Sequence, residues 1–209
     1  MTFDSVIWDW NGTLLNDRDL ALTTINQLLG QRGLPTISLE HYLEVFTFPV
    51  QEYYEEIGFD LRKEPFEIPA SQFIDRYTIG VTKCTLHDQA NVVLRRIQAS
   101  GRRQFILSAM EQSQLEKTVA DTDIRVHFEE LCGLDNHFAT SKIENGIRLI
   151  LAKGLNPKRT IMIGDTVHDY EAAQAMGCQC ILIANGHQSK KRLVNTGAPT
   201  LDNLSQFSF

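Results

Sequence analysis

No stretch of this 209-residue chain holds the roughly 18 consecutive apolar residues that a membrane-spanning helix needs. The opening Met1-Thr2-Phe3-Asp4 has none of the basic character of a secretion signal. Positive charge is also in deficit: 20 Lys and Arg against 26 Asp and Glu leave a net charge of −6 and a pI near 5.5. That balance argues against nucleic acid or an anionic membrane as partner, and a small anionic ligand would need a local cation to hold it. Cysteine is too sparse for a disulfide framework. Cys84 and Cys132 are isolated, Cys178 and Cys180 alternate in what reads as a buried strand, and no second Cys/His pair stands at zinc-ligand spacing. The expectation is reduced core thiols in a cytoplasmic protein. Internal repeats and low-complexity tracts are missing as well.

What is present is a chain able to build a core. Hydrophobic residues make up 43% and charged residues 22%, enough for one ordinary domain or a core with one substantial insertion. Four short apolar runs, Phe3–Trp8, Gln104–Leu107, Thr160–Ile163 and Cys180–Ala184, show little alternation, as strands of a parallel sheet covered on both faces do. Helical stripes lie between them. Ala90, Val93, Leu94 and Ile97 form one, with Asp88 as expected N-cap and Gly101 as stop. Ile143, Ile147, Ile150 and Leu151 form another, opened by a Ser141-x-x-Glu144 capping box and closed by Gly154. A third helix is expected from Val167 to Gly177. Strands alternating with helices predict an α/β fold with a mostly parallel sheet.

Residues 16–83 break the alternation. This stretch carries the stripe Leu22, Ile25, Leu28 and Leu29 and aromatic segments around Tyr53-Tyr54 and Phe73–Tyr77, and is cut by Pro35, Pro49, Pro65 and Pro69. It reads as an all-helical insertion after the first strand, leaving residues 1–15 and 84–209 as the α/β core. The basic run Lys190-Lys191-Arg192 reads as a solvated helix face.

The chemistry gathers at strand ends. The first strand runs into Asp9-Trp10-Asn11-Gly12-Thr13 and a later one into Gly164-Asp165-Thr166-Val167-His168-Asp169, at the edge where α/β sheets bind ligands. Two acidic edges that face each other repel unless a hard cation such as Mg²⁺ lies between them; a pair of turn and helix caps is the alternative. Ser108 follows another strand at the same edge. Lys142 sits at the start of a helix, where the helix dipole disfavours a cation and a bound phosphate would offset that penalty.

In this order, at intervals of 99, 34 and 23 residues, the four elements resemble motifs I to IV of the haloacid dehalogenase superfamily, closest to its phosphoglycolate-phosphatase-like branch with a helical cap. The resemblance implies a Rossmann-like core and a Mg²⁺-dependent phosphatase acting on a small phosphorylated metabolite, as a monomer or homodimer. By the same resemblance Asp9 is the nucleophile, forming an aspartyl-phosphate. Asp9, the Asn11 carbonyl, Asp165 and Asp169 would hold the metal. Gly12, Thr13, Ser108 and Lys142 would hold the phosphoryl group.

One position departs from the pattern. Where active relatives have a second Asp that acts as general acid and base, this chain has Asn11, and an amide can do neither. Substrates needing little leaving-group protonation, such as acyl phosphates, fit this change. So does a substitute proton carrier, for which His168 is a candidate against its reading as a helix-surface residue, and so does a weak or inactive phospho-ligand sensor. A phosphonatase-like reading would need a cap lysine, Lys63 or Lys83, as Schiff base. A dehalogenase is disfavoured by the Gly-Asp-Thr-x-x-Asp arrangement. Specificity is expected from Thr47-Phe48-Pro49-Val50 and Tyr53.

Overall fold

The computed structural model describes residues 2–135 and 142–209. In chain order its elements are β1 (Ser5–Trp8), β2 (Leu15–Asn16), α1 (Arg18–Gln31), α2 (Leu39–Val45), α3 (Val50–Glu56), α4 (Glu67–Val81), β3 (Thr85–Leu86), α5 (Ala90–Ala99), β4 (Arg103–Glu111), α6 (Gln112–Ala120), β5 (Glu130–Leu134), α7 (Ile143–Ala152), β6 (Thr160–Gly164), α8 (Val167–Met176), β7 (Gln179–Ile183), α9 (Lys190–Val194) and β8 (Thr200–Leu201). Six strands form one sheet in the order β5-β4-β1-β6-β7-β8, parallel at every pairing.

All residues of β1 and β6 are buried, because helices cover both faces of the sheet. Alternate side chains feed two apolar layers: Val6, Trp8, Ile106 and Ile163 pack with α5 and α6 on one face, and Ile7, Phe105, Leu107 and Met162 pack with α7 and α8 on the other. The chain leaves this core through β2 and returns through β3, which pair antiparallel, Leu15 opposite Leu86 and Asn16 opposite Thr85. Between them α1 to α4 build an apolar cluster of their own around Ile25, Leu28, Tyr42 and Tyr53. The expected α/β fold with a helical layer after the first strand is present.

Several local expectations change. The strand expected over Gln104–Leu107 continues to Glu111, so Ser108 lies within β4, where the register to β5 shifts between Leu107 and Glu111. β5 and α6 went unforeseen; β5 is an edge strand of mixed polarity, Glu-Leu-Cys-Gly-Leu, without an apolar run. The N-cap of α5 is not Asp88 but Gln89, in the left-handed region at φ 68°. On α7 the buried face is Gly146, Leu149 and Ile150, whereas Ile147 and Leu151 are exposed. Gly146 explains the rotation: a Cβ there would lie 2.6 Å from Met176 Sδ and 2.9 Å from Leu107 Cδ2, so the helix presses its bare backbone onto the core. Ser141, the expected cap of this helix, lies outside the described residues, and Lys142 itself is the N-cap, one residue later than expected. In the basic run, Lys190 and Lys191 are exposed, but Arg192 is half-buried and donates to the carbonyls of Phe46 (2.6 Å) and Leu43 (3.3 Å).

Candidate functional site

β1 and β6 are neighbours, so the loops leaving their C-terminal ends meet. The Asp9 amide donates to the Ile163 carbonyl (2.8 Å), which sets its carboxylate beside the Gly164–Asp169 turn. Asp9, Asp165 and Asp169 each present a carboxylate oxygen within 4.8 Å of the others, and all three are buried. Lys142, 2% exposed, reaches the cluster from the start of α7. Its Nζ pairs with Asp9 Oδ1 and with Asp169 Oδ1 at 2.5 Å.

Asp169 serves two purposes. Its Oδ2 accepts from the Thr166 hydroxyl (2.7 Å) and from the Thr166 and Asp165 amides, completing the capping box of α8, while Oδ1 faces Lys142. The capping box is therefore present, and the same residue also stands in the carboxylate cluster. Asp165 accepts from the Thr13 hydroxyl (2.7 Å) and from the His187 amide (2.7 Å). Gly12 has φ 78°, and a Cβ there would strike the Asp165 carboxylate and the His187 ring; glycine is what lets this turn close over the cluster.

The electrostatics leave negative charge unmet. Burial and the neighbouring charges of Asp169 and Asp165 push the Asp9 carboxyl well above the ordinary carboxylate range, against the pull of Lys142. Asp165 is pushed up to about 6, chiefly by burial. Asp169, although buried, is held low by Lys142 and Thr166. Three dehydrated carboxylates share one ammonium, and all donors are hard oxygens. That set fits a divalent cation of the Mg²⁺ type, which takes one or two carboxylates and restores the missing charge.

Asn11 stands at the mouth of this cluster. Its amide donates to Asp17 Oδ2 (3.0 Å) and to the Tyr77 hydroxyl (2.8 Å), and its Oδ1 accepts from Ser108 Oγ (3.3 Å). Ser108 Oγ also accepts the Met110 amide (3.0 Å) across the irregular stretch of β4. Asp17, at the head of α1, was not foreseen. It is 2% exposed and accepts from the Gly12 amide (2.8 Å), Tyr77 Oη (2.5 Å) and the Asn11 amide, with His187 Nε2 at 3.2 Å. These partners hold it below the usual range despite burial. His187, likewise unforeseen, meets the Tyr42 hydroxyl at 2.8 Å through Nδ1 and rises to about 9; burial opposes the charge, and Asp17 overrides it. A Gly-His pair directly past a buried strand was the available signal for it. For Tyr77 there was none, because only folding brings α4 to the turn; Asp17 is local, 6 residues past Asn11.

His168 is not a surface residue. It is buried, stacked on Phe48 at 4.8 Å between centroids, and burial holds its ring below the usual histidine range. Lys63 is exposed and paired with Asp60 (3.1 Å), and Lys83 is exposed; neither lines the cavity over the cluster. That cavity, of about 180 Å³, lies between α1–α4 and the sheet edge. Its walls include Asp9, Asn11 and Lys142 at one end and Phe48, Val50 and Tyr53 at the other, but not Thr47 or Pro49.

A family model described as haloacid dehalogenase-like hydrolase matches residues 6–183. The tyrosine-protein kinase PtkA of Mycobacterium tuberculosis is 22% identical, over 96% of this chain and 71% of that protein. A phosphoglycolate phosphatase of Xanthomonas campestris pv. campestris is 23% identical, over 88% of this chain and 84% of its own length. Among solved structures, a predicted phosphatase from Clostridium acetobutylicum superposes with a TM-score of 0.83 at 16% identity, over 99% of this chain and 96% of that one.

Proposed function

Because the chain belongs to the haloacid dehalogenase-like hydrolases, we propose that it is a Mg²⁺-dependent phosphatase that hydrolyses a small phosphorylated metabolite through an aspartyl-phosphate. The observation that carries this reading is the buried meeting of Asp9, Asp165 and Asp169 with Lys142 at the ends of β1 and β6. A relative named as a phosphatase and one named as a kinase support a phosphate-directed chemistry.

In this reading an Asp9 oxygen attacks phosphorus and the ester oxygen leaves with its electron pair toward the cap cavity. Water then cleaves the aspartyl-phosphate and releases inorganic phosphate. Lys142 neutralises charge on the transferring oxygens. Gly12 keeps the turn close, Thr13 orients Asp165 through its hydroxyl, and Ser108 orients Asn11; the phosphoryl group would draw on the same donors. Mg²⁺, held by Asp9, the Asn11 carbonyl, Asp165 and Asp169, would supply charge neutralisation to the carboxylates and the phosphoryl oxygens. Residues 16–83 act as a cap that excludes water from the reacting group, and residues 1–15 with 84–209 act as the catalytic core; the paired exit and return strands β2 and β3 support that division. With Lys63 and Lys83 exposed and away from the cavity, no cap lysine supports a phosphonatase.

The test is phosphate release from a panel of phosphorylated metabolites and acetyl phosphate, with Mg²⁺ and with a chelator. Turnover should require Mg²⁺ and vanish in Asp9→Asn. Activity that survives in Asp9→Asn removes the covalent route. A second reading, a phospho-ligand sensor, is favoured by Asn11, whose amide is committed to Asp17 and Tyr77. Tight binding without turnover, even in Asn11→Asp, would select it.

A further inference from the structure

Two features of the site are unconnected in sequence and point to the same ligand chemistry. The first is the cap end of the cavity. Phe46, Phe48, Tyr53, Tyr54, Phe73 and Ile74 are among its walls, and its basic wall residues among those described are Lys142 and His187 alone. Both are already paired, Lys142 with Asp9 and Asp169 and His187 with Asp17. A second anionic group on the substrate, such as a carboxylate beside the phosphate, would find no free cation and would sit against aromatic faces. The volume of about 180 Å³ compares with the roughly 150 Å³ of an apolar cavity that takes up benzene. It suits one small ring, because the wall at the cap end is mostly aromatic and aliphatic, with Thr78 and Gln114 among its few polar members. The Tyr53 hydroxyl, buried without a hydrogen-bond partner among the described residues, offers a contact to a polar ring substituent.

The second feature is Asn11. With an amide in place of the acid at this position, residue 11 gives the departing ester oxygen no proton, which favours a leaving group stable as an anion. A phenolic oxygen, with a pKa of about 10, leaves unprotonated far more readily than an alkoxide, whose conjugate acid is close to the roughly 15.7 of bulk water.

We infer that this phosphatase site is built for aryl phosphate monoesters, the ring lying in the cap cavity and the phosphate between Asp9 and Lys142. The inference rests on the phosphatase reading above and specifies its substrate class. The P–O(aryl) bond breaks as the Asp9–P bond forms, and the phenolate leaves with the electron pair and takes a proton from solvent. Water then breaks the Asp9–P bond, and its protons leave with the phosphate or to solvent.

The experiment measures kcat and KM with Mg²⁺ for phenyl phosphate, 4-nitrophenyl phosphate, benzyl phosphate and 2-phosphoglycolate, on wild type and Asn11→Asp. Benzyl phosphate keeps the ring but has an alkoxide leaving group, so it should inhibit phenyl phosphate hydrolysis near its KM yet turn over about 10²–10⁴ times more slowly, the usual worth of general acid catalysis. 2-Phosphoglycolate should compete at least tenfold less well. Asn11→Asp, by restoring an acid, should narrow the phenyl-to-benzyl ratio at least tenfold. If wild type turns over benzyl phosphate or 2-phosphoglycolate as fast as phenyl phosphate, the aryl assignment is wrong while the phosphatase stands. If neither protein hydrolyses any of these four esters or any member of the metabolite and acetyl phosphate panel, both readings are overturned together.

Discussion

At the scale of single residues, the site depends on how closely the first turn approaches the second. Gly12 combines a left-handed backbone (φ 78°) with contact to Asp165 and His187, so any side chain brings strain and collision at once. Gly12→Ala is expected to lower stability by about 1–3 kcal/mol and turnover by at least a hundredfold, read from urea unfolding and from phosphate release. A variant with wild-type stability and turnover would show that the turn is free to move. Asn11 and Asp17 illustrate a different point. The amide at 11 has a structural role, tying the turn to α1 and α4 through Asp17 and Tyr77.

At the scale of elements, α7 delivers Lys142 because Gly146 allows the helix to lie against Met176 and Leu107. Gly146→Ala should cost about 1–3 kcal/mol by overpacking, measured as a lower denaturation midpoint with an unchanged m-value. In the helical layer, Arg32 at the end of α1 grips Glu64 with two bonds of 2.6 and 2.9 Å and Gln72 with one of 2.8 Å. The guanidinium holds the Glu64 carboxyl below its usual range. A depressed acid stabilises above its unfolded pKa of about 4.3, and that contribution fades as pH falls through the lower folded value. With the pair partly exposed, it is worth at most about 1 kcal/mol. Glu64→Gln should therefore lower stability at pH 7 and leave it nearly unchanged near pH 2, followed by chemical denaturation at both pH values; an equal loss at both would exclude the ion pair as the cause.

At the scale of the whole molecule, the helical layer and the sheet are joined by apolar packing of Tyr77 and Val81 against Trp10 and Leu14 and by specific polar and ring contacts. Arg192 and Gln188 bind the Phe46 carbonyl, Phe48 stacks on His168, and Tyr42 meets His187. The cost of gathering three buried carboxylates falls on the fold as a whole. Mg²⁺ at about 100 times its dissociation constant should therefore add about 2.7 kcal/mol, a rise in Tm of about 5–10 °C for a chain of this size. The rise should disappear in Asp165→Asn; a shift that persists there would place the ion elsewhere. No helix among the described residues is long and apolar enough to cross a membrane.

The sequence by itself determined the parallel α/β class, the helical insertion and the strand-end positions of Asp9, Asp165 and Asp169, because buried strands and strand-end acids leave local signals, whereas Ser108 lies inside a longer strand and Lys142 is itself the helix cap. Asp165 and Asp169 were legible from a single turn that is at once a helix cap and a carboxylate pair. Only the tertiary structure decided that α7 buries Gly146 instead of Ile147, since that choice rests on Met176 in another helix. It alone brought Tyr77 to Asn11, across 66 residues, and His187 to Asp17, across 170. Partners so far apart leave no periodicity to read; their pairing exists only once the sheet has ordered its strands and the helical layer has closed on its edge.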